Sequence, residues 1–312
     1  MSCAGGATAP VTGATGGVGL GAWDVHSDCT PACAAHTAPR VPPTETARRC
    51  AAFARAVRRV RADGGRPADP VRLRAHARAL LTALGIRLDV TGGAAGPERT
   101  EGAHATGGAG GGLRVAAGGP GTLVVGNHIS WLDILALLAV EPVTHLAKRE
   151  VGGWPVVGGL ARSAGSHFID RSSPRQLPHT IGALTDLLAA GHSVAVFPQA
   201  TTWCTADRGT FRRATFQAAI DAGAPVRPVT VAYTQQGGPS TVAAFCGEDT
   251  FLASLRRVLT ARGLTVRVTP HPPLTAADAG DRRTLAALAA RTVLGGRTRP
   301  PAPAIPAPRP HV

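Results

Sequence analysis

The 312-residue chain has one lysine, Lys148, among its 33 basic residues, and aromatic residues make up only 4% of it. Single-stranded nucleic acid is gripped largely by stacking bases on aromatic side chains. Their scarcity argues against a nucleic-acid partner despite a formal net charge of +14. No stretch of about 18 residues is both apolar and free of charge, as a spanning helix would require. The opening "MSCAGGATAP" has neither the basic head nor the apolar run of a secretory leader, so a cytoplasmic location is expected. The six cysteines, at 3, 29, 33, 50, 204 and 246, lack the tight spacing of a disulfide framework and are expected to be reduced.

The net charge lies on the flanks. Residues 1–90 carry 12 Arg against 6 acids and 251–312 carry 10 Arg against 2, while 91–250 hold eleven basic and eleven acidic residues. Such a field suits an anionic membrane surface or a phosphorylated ligand. Abundant Ala and Gly beside an almost complete lack of lysine also fit a GC-rich coding sequence, so charge alone does not name a partner.

The pattern along the chain is that of an α/β protein. Residues 1–43 are rich in Gly, Ala, Thr and Pro without periodicity and are expected to be disordered. Residues 44–85 read as a pair of basic helices, 46–61 and 71–84. A basic amphipathic helix can lie on an anionic bilayer or pack on its own domain. Residues 86–295 form the main domain, interrupted by a Gly/Ala-rich, flexible loop over 92–120. Strands are expected at 86–90, 122–126, 143–147, 166–169, 193–197, 226–232 and 264–269. Helices are expected near 131–139, 155–164, 174–190, 212–222, 249–262 and 281–294. Strands alternating with helices predict a largely parallel sheet flanked by helices. The Pro-rich end, 296–312, reads as a tail.

Three apparent motifs lack the context their chemistry needs. "VTGATGGVG" (11–19) resembles a nucleotide-binding turn but has neither a strand before it nor a helix after it. "GHSVA" (191–195) resembles a nucleophile elbow but runs helix to strand, the reverse of the required order; Ser193 is expected to be an ordinary strand-start residue. His26, Cys29, Cys33 and His36 have spacing that zinc could use, but their flanks show no pattern that would orient ligands. No metal and no cofactor are expected.

The chemistry is concentrated in "LVVGNHISWLDIL" (123–135), where polar Asn127, His128 and Asp133 sit between two apolar runs. Ligands of open α/β sheets bind beyond the carboxyl ends of the strands. An aspartate five residues after a histidine can reach back to one ring nitrogen and leave the other as a base. The same pair also serves as an ordinary structural hydrogen bond, and Asp133 as a helix cap. Three further segments decide between these readings: "GSHFIDR" (165–171), "VFPQATTW" (196–203) and "VRPVTV" (226–231), each at or near a strand.

Together, over about 70–275, these four blocks resemble in order and spacing the glycerophospholipid acyltransferase family, in particular 1-acyl-sn-glycerol-3-phosphate acyltransferases. "NHISWLD" matches the family's Asn-His-x-x-x-x-Asp pattern, "FIDR" its second block, and "LAKRE" (146–150) the sequence between. The resemblance implies a single acyltransferase domain with a mostly parallel mixed sheet. It implies an O-acyltransferase in which His128 is the general base and Asp133 orients it. Asn127, Arg171, Pro198, Gln199, Ala200 and Thr201 would seat the acceptor, with Arg171 on its phosphate. The acyl donor would be acyl-CoA or acyl-carrier protein, and the acceptor a lysophospholipid, most simply 1-acyl-sn-glycerol-3-phosphate, giving phosphatidic acid. The chain would then work as a peripheral protein on the inner face of the cell membrane. Another lyso-lipid or hydroxylated acceptor, or a catalytically weak lipid-binding homologue, are the alternatives. One block departs from the family's Phe-Pro-Glu-Gly-Thr: Gln199 and Ala200 stand at the Glu and Gly positions, and are expected to weaken the hold on the acceptor.

Overall fold

A computed structural model of the chain describes residues 25–63, 69–91, 112–115, 118–148, 158–159, 167–169 and 176–295. Among these, eight strands form one sheet: β1 (Arg87–Val90), β2 (Leu123–Gly126), β3 (Thr144–Lys148), β4 (His167–Ile169), β5 (Val194–Val196), β6 (Val226–Gln235), β7 (Gly238–Pro239) and β8 (Leu264–Pro270). Their order is β1-β8-β6-β2-β5-β3-β4, with β7 paired to β6. The pairs β1–β8, β2–β5, β2–β6, β3–β5 and β3–β4 are parallel, and β6 runs antiparallel to β7 and β8. This is the expected α/β architecture, a mixed sheet that is parallel through its middle. The carboxyl ends of β2, β5 and β6 therefore share one edge.

Side chains alternate faces along a strand, and the apolar residues divide accordingly. Leu123, Val125, Val194, Val196 and Val226 face one core with Leu184 and Leu188 of α4 (Leu177–Ala189), Phe216 of α5 (Ala214–Asp221) and Leu285 and Ala289 of α8 (Arg282–Leu294). Val124, Ala195, Val229, Val231, Val266 and Val268 face the other, where they meet α1 (Pro43–Ala62), α2 (Pro70–Ala83), α3 (Leu132–Val140) and α6 (Phe251–Leu259). A short α7 (Ala276–Ala279) precedes α8. Helix α3 is buried from Leu132 through Ala139, as a sequence apolar on every side except at Asp133 requires.

The basic helical pair shares this second core. Asp69 caps α2 by accepting from Val71 N–H at 3.1 Å, and Pro70 suits the first turn, where an N–H would be unpaired. Helix α2 turns Leu73, Ala77, Leu80 and Leu81 inward, and α1 contributes Phe53 and Ala56. Burying leucines such as Leu80 and Leu81 stabilises the fold by roughly 1.5–3 kcal/mol each. Arg49 is tied down as well: its Nη1 donates to the carbonyls of Leu259 at 3.2 Å and Ala261 at 2.8 Å, at the end of α6. Arg48, Arg55, Arg58, Arg59 and Arg61 remain exposed on α1.

The expectation of disorder over 1–43 is corrected for residues 25–42, and part of the Gly/Ala-rich loop is held in place as well. Residues 25–42 form an ordered arm across the domain, with Cys29 and Ala38 buried and a 3-10 turn at Pro31–Cys33. Val41 N–H donates to Thr260 O at 3.0 Å, and the Thr37 N–H and hydroxyl donate to Gln235 Oε1 at 3.2 and 2.9 Å. The arm is fixed by partners some 200 residues away, which local periodicity does not reveal. In the Gly/Ala-rich loop, Leu113 is fully buried, and its N–H and that of Arg114 donate to Glu141 Oε2 at 2.7 and 3.1 Å. Residues 1–24, 92–111 and 296–312 lie outside the described residues, as does most of the helix expected at 155–164.

Candidate active site

The site begins where β2 ends. Asn127 is fully buried; its Nδ2 donates to Val231 O and its Oδ1 accepts from Val231 N–H, both at 2.8 Å. Both ends of the amide are spent pegging the end of β2 to β6. The acceptor contact expected of Asn127 is therefore corrected to a scaffolding role.

The chain then turns through His128, Ile129 and Ser130 into α3. Asp133, in the first helical turn, is fully buried. Its Oδ2 accepts from Ile129 N–H at 2.7 Å, Ser130 N–H at 2.9 Å and His128 Nδ1 at 2.8 Å. Its Oδ1 accepts from the Tyr233 hydroxyl at 2.6 Å. Four donors and a helix N-terminus compensate a carboxylate taken out of water. Burial first, then the charge of Asp133 and the hydrogen bond to it, hold the Tyr233 phenol well above its usual pKa, so it stays a donor. Tyr233 is the chain's single tyrosine. Its place on "VTVAYTQ" gave no sign in the sequence that it would reach the site, and its rarity was the only signal available.

With Nδ1–H committed to Asp133, the lone pair of the His128 ring lies on Nε2. The imidazole stacks flat on Phe197, with centroids 4.0 Å apart and an interplanar angle of 8°, and keeps 20% of its side-chain surface exposed. A held, partly open imidazole of this kind can accept a proton from a hydroxyl brought to Nε2. His145 of β3 is buried, and that burial, with a weaker contribution from the charge of His128 and against a hydrogen bond to the Val143 backbone, pushes its pKa down to about 4.

The loop after β5 closes on the same turn. Phe197 and Pro198 are buried, and so is Gln199, at 2% exposure. Gln199 Oε1 accepts from His128 N–H and its Nε2 donates to Arg208 O. Trp203 N–H donates to His128 O at 2.8 Å. Both backbone polar groups of His128 are thus held by this loop. Gly209, with φ +82°, lets the chain return beneath it: a Cβ there would lie 3.0 Å from Gln199 Nε2 and overlap the Trp203 indole. The Thr202 hydroxyl donates to Phe245 O, and Phe245 N–H donates to Ile129 O at 3.0 Å. Arg257 braces that third segment, donating to Val242 O at 2.9 Å and Ala244 O at 2.7 Å.

Of the residues expected to seat an acceptor, Gln199 faces inward, and the acceptor contact expected of it is corrected to a bridge between two backbone groups. Ala200 adopts φ +61°, the left-handed conformation that a glycine adopts without strain. Ala200 and Thr201 are half-buried beside the turn. Arg171 lies outside the described residues. Ser193 is a strand-start residue, its hydroxyl accepting from Thr122 N–H at 3.0 Å.

Residues 111–232 match the family model described as Acyltransferase. Over 165 residues the chain is 38% identical to a 1-acyl-sn-glycerol-3-phosphate acyltransferase of Neisseria meningitidis, covering 53% of this chain and 65% of that protein. Over 185 residues it is 35% identical to a lyso-ornithine lipid O-acyltransferase of Rhodobacter capsulatus, covering 56% of this chain and 67% of that protein. The chain belongs to the glycerophospholipid acyltransferase family. Its fold is similar to that of the crystal structure of a 1-acyl-sn-glycerophosphate acyltransferase from Thermotoga maritima, with a TM-score of 0.52 at 18% identity over 73% of this chain and 77% of that one. In this acyltransferase fold the turn at His128 and the loop at Gln199 occupy neighbouring strand ends, β2 beside β5.

Proposed function

We propose that this chain transfers an acyl group from an acyl thioester, acyl-CoA or acyl-carrier protein, to a hydroxyl of a lyso-lipid. The observation that carries the reading is the His128–Asp133 pair: one ring nitrogen on a buried, fully bonded carboxylate, the other free to act as base. Nε2 takes the proton of the acceptor hydroxyl as its oxygen attacks the thioester carbonyl. The C–S bond then breaks, and the departing thiolate takes that proton back from the imidazolium. Such positioned base catalysis contributes roughly 10²–10⁴-fold in rate. The acceptor we favour is 1-acyl-sn-glycerol-3-phosphate, giving phosphatidic acid, with Arg171 on its phosphate and Thr201 beside it. A lyso-ornithine lipid is the second reading, because proteins so named are among the relatives at 35–39% identity.

A thioester-release assay against a panel of lyso-lipids tests both. Transfer to 1-acyl-sn-glycerol-3-phosphate supports the first reading. Transfer confined to another lyso-lipid replaces the acceptor, and lipid binding without transfer to any acceptor replaces the enzyme by a binding protein.

Acceptor and product of such a reaction reside in a bilayer. Among the described residues no helix is long and apolar enough to cross one. We propose surface association through the exposed arginines of α1, each contributing about 1 kcal/mol at an anionic surface. Binding to anionic vesicles should fall steeply with added salt and should weaken when Arg55, Arg58, Arg59 and Arg61 are changed to Gln. Equal binding by both proteins, or binding indifferent to salt, would remove α1 from this role.

A further inference from the structure

Three of the six cysteines cluster from two distant segments, with a fourth buried nearby. The Sγ atoms of Cys29, Cys33 and Cys204 all lie within 4.8 Å of one another, and Cys29 Sγ is 3.3 Å from Cys204 Sγ. Cys246, on the segment after β7, lies outside this group of three but is buried beside it, and burial together with Cys29 and Cys33 pushes its thiol up to about 12. Cys29, Cys204 and Cys246 are buried to 1–2% exposure, and Cys33 is partly open to solvent. Neither His26 nor His36 is among the clustered ligand atoms. The ligand set that the sequence suggested is thus replaced by one assembled across more than 170 residues.

The surroundings favour the Cys29 sulfur as an anion. Cys29 Sγ accepts from Cys204 N–H at 3.4 Å and lies 3.9 Å from Arg208 Nη1. Backbone and guanidinium donors on a thiolate are the kind of supporting contacts that tune metal ligands. Gly247, with φ +59°, allows the third segment to approach this closely, since a Cβ there would lie 3.1 Å from Cys29 O. A tetrahedral zinc site with Zn–S bonds of about 2.3 Å places its sulfurs about 3.8 Å apart, a spacing that the Cys29, Cys33 and Cys204 sulfurs reach by shifts of ångström scale and to which Cys246 is drawn in from beside them.

We propose that Cys29, Cys33, Cys204 and Cys246 form a four-thiolate site for a zinc-class divalent cation. Each thiol gives its proton to solvent as it binds, leaving a site of charge −2 with Arg208 beside it. The ion is structural, since four protein ligands leave no open position for substrate. It ties the N-terminal arm to two segments that hold the histidine turn. Cys204 follows Trp203, which bonds His128 O, and Cys246 follows Phe245, which bonds Ile129 O. The site stands independently of the acyl-transfer reading.

The test is cobalt(II) titration into the full chain, stripped with chelator under reductant, with circular dichroism to follow the fold. The expected result is thiolate-to-cobalt charge transfer with intense tetrahedral d–d bands, saturating at equimolar metal and erased by zinc. Cys204→Ser and Cys33→Ser should lower the affinity by more than the roughly 10–100-fold that loss of a supporting contact costs. Cys50→Ser, on the exposed face of α1, should leave it unchanged. Cys33→Ser is the safer variant for folding because Cys33 is partly exposed. Lack of thiolate–cobalt absorption in the folded wild type overturns the proposal. So does absorption that survives Cys33→Ser in a folded chain, or a stoichiometric Cys29–Cys204 disulfide in the chain as purified under reductant.

Discussion

Two loops leave neighbouring strand ends and meet at one histidine, and they are built differently. In the β2–α3 turn, Asn127 and Asp133 are buried and bonded at every polar atom, and only the His128 ring opens to solvent. This loop matches the family pattern in full. The loop after β5 departs from it at Gln199 and Ala200, and both departures fall on groups that shape the loop: one bridges His128 N–H to Arg208 O, the other carries a left-handed backbone. A motif therefore mixes a ring open to solvent with residues that hold it in place. Sequence spacing does not sort them.

The comparison is broken most sharply at His128. His128→Ala should lower kcat/KM by roughly 10²–10⁴-fold while leaving the fold intact, because the ring is partly exposed, stacks on Phe197 and makes one hydrogen bond among those described. Stopped thioester release and an unchanged melting curve would check this. A variant that keeps most of its activity would reduce the first loop to scaffold as well.

His145 is buried on β3 opposite Ala195 of β5, and its titration tests how dry that part of the sheet is. Its folded pKa of about 4 lies below the ordinary value of about 6.5 for the unfolded chain. Between these two, the unfolded state binds a proton that the folded state refuses, so stability falls as pH drops from about 6.5 to about 4 and levels off below. The loss attributable to this group is on the order of 3 kcal/mol. Urea unfolding at pH 7 and pH 4.5 should show it, and His145→Gln should flatten that part of the profile. An equally steep profile in the variant would assign the loss to other groups, such as His271, whose pKa burial also lowers.

Gln199→Glu sharpens the contrast, because motif and geometry predict opposite signs. Reasoning from the motif, restoring the family's Glu should strengthen the hold on the acceptor. In the structure, the carboxylate would face the Arg208 carbonyl that Gln199 Nε2 now serves. Removing the donor from that part-buried carbonyl costs up to about 1–3 kcal/mol, besides the penalty of a buried charge at residue 199. A lower melting temperature and lower kcat/KM are expected. Gln199→Glu with a tenfold gain in kcat/KM and no loss of stability would put residue 199 back in the acceptor's path.

The fold was largely legible. Strand positions such as Leu123–Gly126 and Val226–Gln235 announced themselves by apolar runs between turn residues, and the five-residue spacing of His128 and Asp133 foretold their contact. What escaped was long-range and aperiodic. The ordered arm at 25–42 has no helical or strand period. Tyr233 reaches Asp133 across 100 residues, and Cys204 and Cys246 join Cys29 from far along the chain. Pairings of that kind depend on which strand ends become neighbours, and the order β6-β2-β5 is a property of the whole sheet.

Ala200→Gly probes the smallest difference between the loops. An L-residue at φ +61° carries a strain of about 1–2 kcal/mol from its Cβ. Glycine removes that strain but frees the unfolded chain, which returns roughly 0.4–1 kcal/mol of the gain. The net should be a stabilisation of about 0.5–1 kcal/mol, read as a rise of roughly 1–4 °C in melting temperature for a domain of this size. Because Ala200 N–H donates to Phe197 O at 3.0 Å, the turn should keep its shape and kcat/KM should change less than about twofold, equivalent to roughly 0.4 kcal/mol. Paired assays on 1-acyl-sn-glycerol-3-phosphate and a lyso-ornithine lipid make the variant informative in both directions. A rise in melting temperature with equal, small changes on both acceptors marks Ala200 as backbone strain alone. A tenfold change on one acceptor only, without change in stability, would mean that the methyl group stands in that acceptor's place and that this loop selects the substrate.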